Sequence, residues 1–137
     1  MCLITFITFF SLRLFDRAND QSLVRRQDYL SLYSYVVRTQ AGYEVAWNYF
    51  TTNYKTIRTN RLSDSQIGTV AGYFARYLKT KQQKADFQQF FIDHTDTGIS
   101  TTNLNKALET IDKNIVWVNT YRKSVYDWFR TKNSQTL

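Results

Sequence analysis

The stretch that decides the fold is residues 42–57, GYEVAWNYFTTNYKTI. Its apolar side chains recur at spacings of three and four, which places them on one face of an α-helix. That stripe is wide and aromatic, so it needs covering neighbours on more than one side. The pattern predicts a central helix over residues 42–57 in an all-α domain. The stripe consists of Tyr43, Ala46, Trp47, Phe50, Tyr54 and Ile57.

Composition supports the all-α prediction. The chain has 137 residues, no proline and only four glycines. Helix interiors exclude proline, so its absence favours long helices over a loop-rich fold. Ten Phe, ten Tyr and three Trp supply enough apolar surface for a core. The length suits one domain and is too short for two comfortable ones.

Further helices are predicted on both sides of the central stretch. Upstream, apolar residues between Tyr29 and Val37 indicate a well-buried helix that begins near Ser22, and residues 39–42 form the break. Downstream, Ser63 with Gln66 and Thr80 with Gln83 have the spacing of capping boxes. The two helices that follow carry stripes based on Ile67, Val70, Ala71, Phe74 and Leu78, and on Phe87, Phe90 and Phe91.

Two features of these later segments give specific expectations. Gly68 and Gly72 flank one stripe and would let another helix approach closely. After the loop HTDTGIS, a long helix is predicted from Leu104 to Val118, with a break at residues 119–123. A last helix would then carry Val125, Trp128 and Phe129.

The first fifteen residues, MCLITFITFFSLRLF, allow more than one interpretation. A signal peptide is disfavoured because no positive charge precedes the apolar run and no small-residue cleavage site follows it. The run is also shorter than a transmembrane helix. We expect a buried core helix, with membrane attachment through this segment as an open alternative. The predicted division is residues 1–15 as this helix, 16–132 as the helical domain and 133–137 as a frayed tail.

The chain is basic, with 18 Lys and Arg against 11 Asp and Glu and a formal charge of +7. Such an excess raises nucleic acid or an acidic surface as a partner. The densest basic groups lie at residues 55–61 and 79–84, and neither resembles a nucleic-acid motif. A solvated basic surface is the preferred interpretation, and nucleic acid is disfavoured as a partner.

No motif in the sequence indicates catalysis. A zinc peptidase of the HExxH type needs two histidines one helical turn apart, whereas this chain has only His94. One histidine and one cysteine, Cys2, cannot complete a structural zinc site either. Neither a G-x-S-x-G elbow nor a phosphate-binding loop is present. His94 is interpreted as a residue at a helix C-terminus, where the dipole favours a cation.

Three blocks of the sequence resemble the C-terminal helical domain of the aminopeptidase N family of zinc metallopeptidases, which includes the endoplasmic-reticulum aminopeptidases. SLVRRQDYLSLYSYVV resembles a family stretch at Arg25, Gln27 and Asp28. GYEVAWNYFTTNYKTI and NIVWVNTYRKSVYDWF resemble two later blocks, with Tyr54 where the family usually has Trp. The motif positions in these two blocks are Gly42, Ala46, Trp47, Phe50, Asn53, Asn114, Trp117 and Trp128.

The resemblance implies a HEAT-like α-superhelix of antiparallel helix pairs that caps the active-site cavity and helps to select peptides. In the family the zinc and catalytic residues lie in an upstream domain, so none has a position here. The resemblance therefore implies a chain without enzymatic activity or cofactor, whose partner is an aminopeptidase catalytic domain or a peptide. An alternative is a stand-alone helical-repeat binding module with a basic surface. The compartment implied is extracellular, membrane-anchored through another segment, or the endoplasmic reticulum, with the cytoplasm open.

Overall fold

A computed structural model describes residues 3–94 and 99–134, and within these ranges all regular secondary structure is helical. This confirms the all-α prediction, whereas the stacking of helix pairs into a HEAT-like superhelix stays a prediction. Residues 95–98 of the predicted loop HTDTGIS and residues 135–137 of the predicted tail lie outside the described residues. The helices are α1 (Leu3–Ala18), α2 (Arg26–Val36), α3 (Gln40–Thr52), α4 (Tyr54–Asn60), α5 (Asp64–Ala75), α6 (Lys81–Asp93) and α7 (Thr101–Ser134).

The predicted central helix is divided in two. α3 ends at Thr52, Asn53 caps it with φ −104° and ψ 14°, and α4 follows. The backbone N–H of Asn53 and its side-chain Nδ2 both donate to the carbonyl oxygen of Tyr49, at 3.0 Å each. A side chain that bonds to its own preceding turn offers the backbone an alternative to continued helix. The single helix predicted over residues 42–57 was therefore wrong at Asn53.

The aromatic stripe nevertheless forms the core as predicted. Phe50 is fully buried, with its ring centroid 5.5 Å from that of Phe74 and 5.8 Å from that of Tyr33. A second face of α3 is also buried, since Tyr49 stacks on Phe15 of α1 with centroids 4.8 Å apart. α3 packs against α1, α2 and α4. The expectation that this stripe needs neighbours on more than one side is confirmed.

Side-chain caps start four of the described helices, one of them α7, where the Oγ of Ser100 accepts a hydrogen bond from the N–H of Asn103. Thr39 accepts a hydrogen bond from the N–H of Gly42 and begins α3. Both predicted capping boxes are present, with Ser63 and Gln66 at the start of α5 and Thr80 and Gln83 at the start of α6. Each box satisfies N–H groups that the first turn of a helix leaves without partners.

α1 extends further than predicted. It ends at Ala18, three residues beyond the predicted end at residue 15. Phe15 is fully buried and Ala18 is 2% exposed, and both belong to the main core. The division of the chain into domains stays a prediction. Among the described residues, no helix has the length and apolar character needed to cross a bilayer.

α7 is one continuous helix of 34 residues, so the predicted break at residues 119–123 was wrong. No glycine or proline lies in this segment, and polar residues alone do not end a helix. Lys123 and Asp127, one turn apart, form an ion pair of 2.6 Å across the predicted break. The expected last helix is therefore the C-terminal half of α7, and its apolar residues Val125, Trp128 and Phe129 are exposed rather than packed.

Arg61 is a buried cation that the sequence placed in a surface basic group. It is 1% exposed, and its guanidinium lies 4.7 Å from the ring centroid of Tyr29. Its Nη2 donates to the carbonyl of Val24 at 2.8 Å, while Nε and Nη1 have no hydrogen-bond partner among the described residues. Arg61 thereby joins the end of α4 to the segment before α2, and it reduces the basic surface predicted at residues 55–61.

The glycines differ in how closely their neighbours approach. A Cβ at Gly42 would lie 2.0 Å from the carbonyl oxygen of Val36, and one at Gly68 would lie 2.5 Å from the Nδ2 of Asn103 in α7. At Gly72 no described atom beyond the adjacent backbone of its own helix lies within 4 Å of such a position. The prediction of close helix approach is confirmed for Gly68 and was wrong for Gly72.

The Gly42→Ala and Gly72→Ala variants should therefore shift stability in opposite directions. Gly42→Ala forces α2 and α3 apart and should lower the free energy of unfolding by about 3 kcal/mol or more. Gly72→Ala should raise it by about 0.5–1 kcal/mol, because alanine loses less backbone entropy in a helix. Urea denaturation measures both values, and a stabilised Gly42→Ala variant would show that the α2–α3 contact is misplaced.

Buried tyrosines make the free energy of unfolding depend on pH in the alkaline range. Burial raises the pKa of Tyr33 well above its ordinary value, with Tyr29 adding to the effect. Burial, followed by the negative charges of Asp86 and Glu44, also raises the pKa of Tyr43. Below a pH of about 10 both states keep these protons, whereas above it the unfolded chain loses them first. Raising the pH past that point therefore stabilises the unfolded state.

We expect the free energy of unfolding to fall as pH rises above about 10, and Tyr43→Phe to make that fall less steep. Urea denaturation at several pH values between about 8 and 11 measures the slope. Tyr35→Phe, at a ring that is 63% exposed, is the matched control. Equal slopes in the Tyr43 and Tyr35 variants would contradict the assignment.

Candidate functional site

The residues of the three sequence motifs do not converge on one site. The first block lies on the surface, where Arg25 precedes α2 and its Nε forms an ion pair of 3.0 Å with Asp28. Gln27 beside them is exposed. Exposed pairs of this kind add little stability. The roles of Arg25, Gln27 and Asp28 stay a prediction.

The second block lies in the core and joins three helices. Ala46 and Phe50 are fully buried, and the Cβ contact described above leaves no room for a side chain at Gly42. Trp47 is half-buried, and its ring contacts Phe74 of α5 and Phe87 and Phe90 of α6 at centroid distances of 5.1–5.7 Å. These residues hold α3, α5 and α6 together rather than form a reactive site.

In the third block, Asn114 performs a capping role between helices. Its Nδ2 lies 3.0–3.2 Å from the carbonyl oxygens of Ala75, Arg76 and Leu78, which follow the last turn of α5. The last carbonyls of a helix lack partners within the helix, so this amide from α7 satisfies them. Trp117 and Trp128 of the same block are 55% and 57% exposed. The block therefore includes one half-buried polar contact and two exposed rings.

The structure forms a basic pocket that the sequence did not predict. It has a volume of about 420 Å³, and Lys55, Arg58 and His94 supply its cationic or titratable groups. The sequence placed Lys55 and Arg58 on a wet helix face, and only folding brings α6 beside them. The signal available in the sequence was spacing. Lys55 and Arg58 are three residues apart, and the threonines that line the pocket lie three or four residues from Lys55. Its lining is Thr51, Thr52, Tyr54, Lys55, Arg58, Thr59 and His94.

Local contacts orient the groups of this basic pocket. His94 caps α6, as the sequence predicted for its place, and its Nδ1 lies 2.8 Å from the carbonyl oxygen of Phe90. If that carbonyl accepts the Nδ1 proton, Nε2 is the nitrogen left to meet a ligand. The Nε of Arg58 forms an ion pair with Asp64, with 3.4 Å between Nε and the Oδ1 of Asp64. The pocket offers Lys55 and the His94 ring to an anionic or polar group, and its described lining contains no carboxylate.

In the two described ranges, no three His, Cys, Asp or Glu side chains are grouped as metal ligands would be. Cys2 lies outside those ranges. The described donor set therefore does not fit a zinc site, and no chemical step is assigned to zinc in this chain.

Asn114→Ala should lower the free energy of unfolding by about 1–3 kcal/mol, because three carbonyl groups at the end of α5 lose their donor. Asn105→Ala, at an exposed position of the same helix, is the matched control and carries the same gain in helix propensity. Urea denaturation of both variants isolates the capping contact. Equal stabilities would mean that the Asn114 amide does not bridge α7 to α5.

Comparisons with known proteins identify the family. A family model described as the ERAP1-like C-terminal domain matches residues 11–113. Mouse (Mus musculus) glutamyl aminopeptidase is 25% identical over 118 residues, and pig (Sus scrofa) glutamyl aminopeptidase is 27% identical over 119 residues. Dog (Canis lupus familiaris) aminopeptidase N is 30% identical over 115 residues. These alignments cover 82–85% of this chain but only 12% of each relative.

The family match spans most of the core described above, from Phe15 of α1 to Ile111 of α7. It confirms the resemblance to this family and covers the first two sequence blocks, whereas the third block, residues 114–129, follows the matched residues. This chain belongs to the family of ERAP1-like C-terminal domains, which forms part of aminopeptidases.

Proposed function

We propose that this chain acts as a non-catalytic helical domain beside the zinc-dependent catalytic domain of an aminopeptidase. There it would bound the cavity over the active site and help to select which peptides lose their N-terminal residues. The observation that supports the proposal is the match over residues 11–113 to a C-terminal domain, together with relatives that are named aminopeptidases. The chain spans about one eighth of the length of those relatives, so the rest of an enzyme would come from outside it.

The basic pocket is the part of this domain best suited to contact a peptide. Lys55 is exposed at its edge, and Arg58 and His94 lie in the same lining. A carboxylate from a peptide side chain or C-terminus would gain charge-assisted hydrogen bonds there. The pocket would thereby favour peptides with an acidic group, while the peptide bond itself is cleaved elsewhere.

A second candidate is a stand-alone binding module that uses the basic surface. The observation in its favour is the +7 charge combined with this pocket. Such binding would weaken steeply as salt rises if the partner were a nucleic acid. If the chain binds no labelled oligonucleotide at low ionic strength, nucleic acid is excluded as the partner of such a module.

A chimeric enzyme tests the proposed function. The matching C-terminal segment of pig glutamyl aminopeptidase would be replaced by this chain, and a second enzyme would lack the segment altogether. We expect the deletion to change kcat/KM for a long peptide several-fold relative to kcat/KM for a small aminoacyl-anilide, and the chimera to restore that ratio. The anilide reaction and the bound zinc content report whether each enzyme has folded.

The isolated chain is the control for activity. We expect it to hydrolyse no aminoacyl-anilide with or without added zinc. Turnover that survives repurification and disappears with a chelator would contradict the non-catalytic assignment. A chimera that folds yet keeps the peptide-to-anilide ratio of the deletion enzyme would contradict the role in peptide selection.

A further inference from the structure

The C-terminal half of α7 carries a large apolar surface that nothing in the described fold covers. The last buried residue of α7 is Ile115, and we call residues 116–132 the α7 overhang. At 1.5 Å per residue it extends roughly 25 Å beyond that point. Exposed apolar surface of this extent marks an interaction site. The exposed apolar side chains are Val116, Trp117, Tyr121, Val125, Tyr126, Trp128 and Phe129, at 42–65% exposure.

The buried half of α7 and the overhang share one continuous seam. Its residues alternate at spacings of three and four, which is the heptad pattern of helices that pack side by side. In the first half of this seam, Ala107 and Ile111 are buried and Asn114 caps α5. The second half repeats the same pattern without a partner among the described residues. The seam consists of Leu104, Ala107, Ile111, Asn114, Val118, Tyr121, Val125 and Trp128.

Charge indicates which kind of surface fits the overhang. At the seam and its two flanking heptad positions the charged residues are Arg122 and Lys132, both basic. The one acidic residue of the overhang, Asp127, lies outside these positions and pairs with Lys123. A second copy of the chain would offer no acidic residue at these positions to receive Arg122 at the flank or Lys132 at the end of the seam, which is unfavourable. These two cations instead complement acidic side chains.

Continuity with a packed surface favours a protein helix as the partner. The first half of the seam already packs on the protein core, where Ala107 and Ile111 are buried. The overhang continues the same helix and the same seam, so a helix docked there would extend this packing. Lys123 and Arg130 lie opposite the seam, as cations also do in membrane-surface helices, so binding to anionic vesicles is a competing outcome of the test.

We propose that the α7 overhang is a docking surface for an amphipathic helix with an apolar seam and acidic flanks. The proposal rests on the proposed function, because the helix would be supplied by the aminopeptidase polypeptide that this chain accompanies. Trp117, Tyr121 and Trp128 would be the aromatic anchors of the contact, the residue types that carry most binding energy at interfaces. Docking would extend the helical packing of this domain onto the rest of the enzyme.

A designed peptide tests this surface with the intact chain. The probe is a synthetic amphipathic helix of about three heptads with Leu at the seam and Glu at the flanks, and the control peptide has Lys in place of Glu. We expect the acidic peptide to bind and to shift the fluorescence of Trp117 and Trp128 to the blue. The basic peptide should bind at least tenfold more weakly.

Two variants test whether binding depends on the seam or on any exposed apolar side chain of the overhang. Trp128→Ser should weaken binding of the acidic peptide about tenfold or more. Tyr126→Ser is the matched control, since Tyr126 is 65% exposed but lies off the seam, and it should leave affinity unchanged. Circular dichroism checks that both variants keep the helical content of the parent chain.

Five outcomes would overturn the inference: no binding of the acidic peptide, equal binding of both peptides, equal loss in both variants, dimerisation of the chain without peptide, or a blue shift with phosphatidylserine vesicles that exceeds the peptide response. The chimera distinguishes this failure from failure of the proposed function. If the peptides do not bind but the chimera restores peptide selection, only the docking surface is lost. If the acidic peptide binds as expected but the chimera does not restore peptide selection, the docking surface is supported and the proposed function in peptide selection is contradicted.

Discussion

The rest of the structure depends on the aromatic packing of α3 against α5 and α6. Trp47 contacts Phe74, Phe87 and Phe90, and the fully buried ring of Phe50 contacts Phe74 from the same face. Each ring pair adds about 0.5–1.5 kcal/mol beyond the area that it buries. Because these rings come from three helices, their contacts fix the helix positions that bring Lys55 and His94 into one pocket.

The sequence predicted the parts of this fold that local periodicity and capping control. The spacing of Ala46, Phe50 and Ile57 identified the core face, and the pairs Ser63–Gln66 and Thr80–Gln83 marked two helix starts. These features depend on residues within one or two turns of each other. They can therefore be read before any tertiary contact is known.

The features that could not be predicted from the sequence depend on competition between two local structures or on contacts between residues distant in sequence. Asn53 ends α3 because its side chain and backbone both bond to Tyr49, a choice between two local structures that periodicity does not decide. The continuity of α7 follows from the absence of a strong helix breaker, so a polar segment was mistaken for a break. The burial of Arg61 and the basic pocket require helices distant in sequence, and no single-sequence pattern contains them.

We propose that this domain works as part of a larger enzyme in which the α7 overhang is covered. Hydrogen–deuterium exchange of the isolated chain and of the chimeric aminopeptidase measures whether that segment is covered. An unpacked helix end opens at low free energy and exchanges quickly, whereas a docked one is protected. Residues 116–132 should exchange quickly in the isolated chain and slowly in the chimera. Equal exchange of this segment in both proteins would show that the enzyme does not cover it.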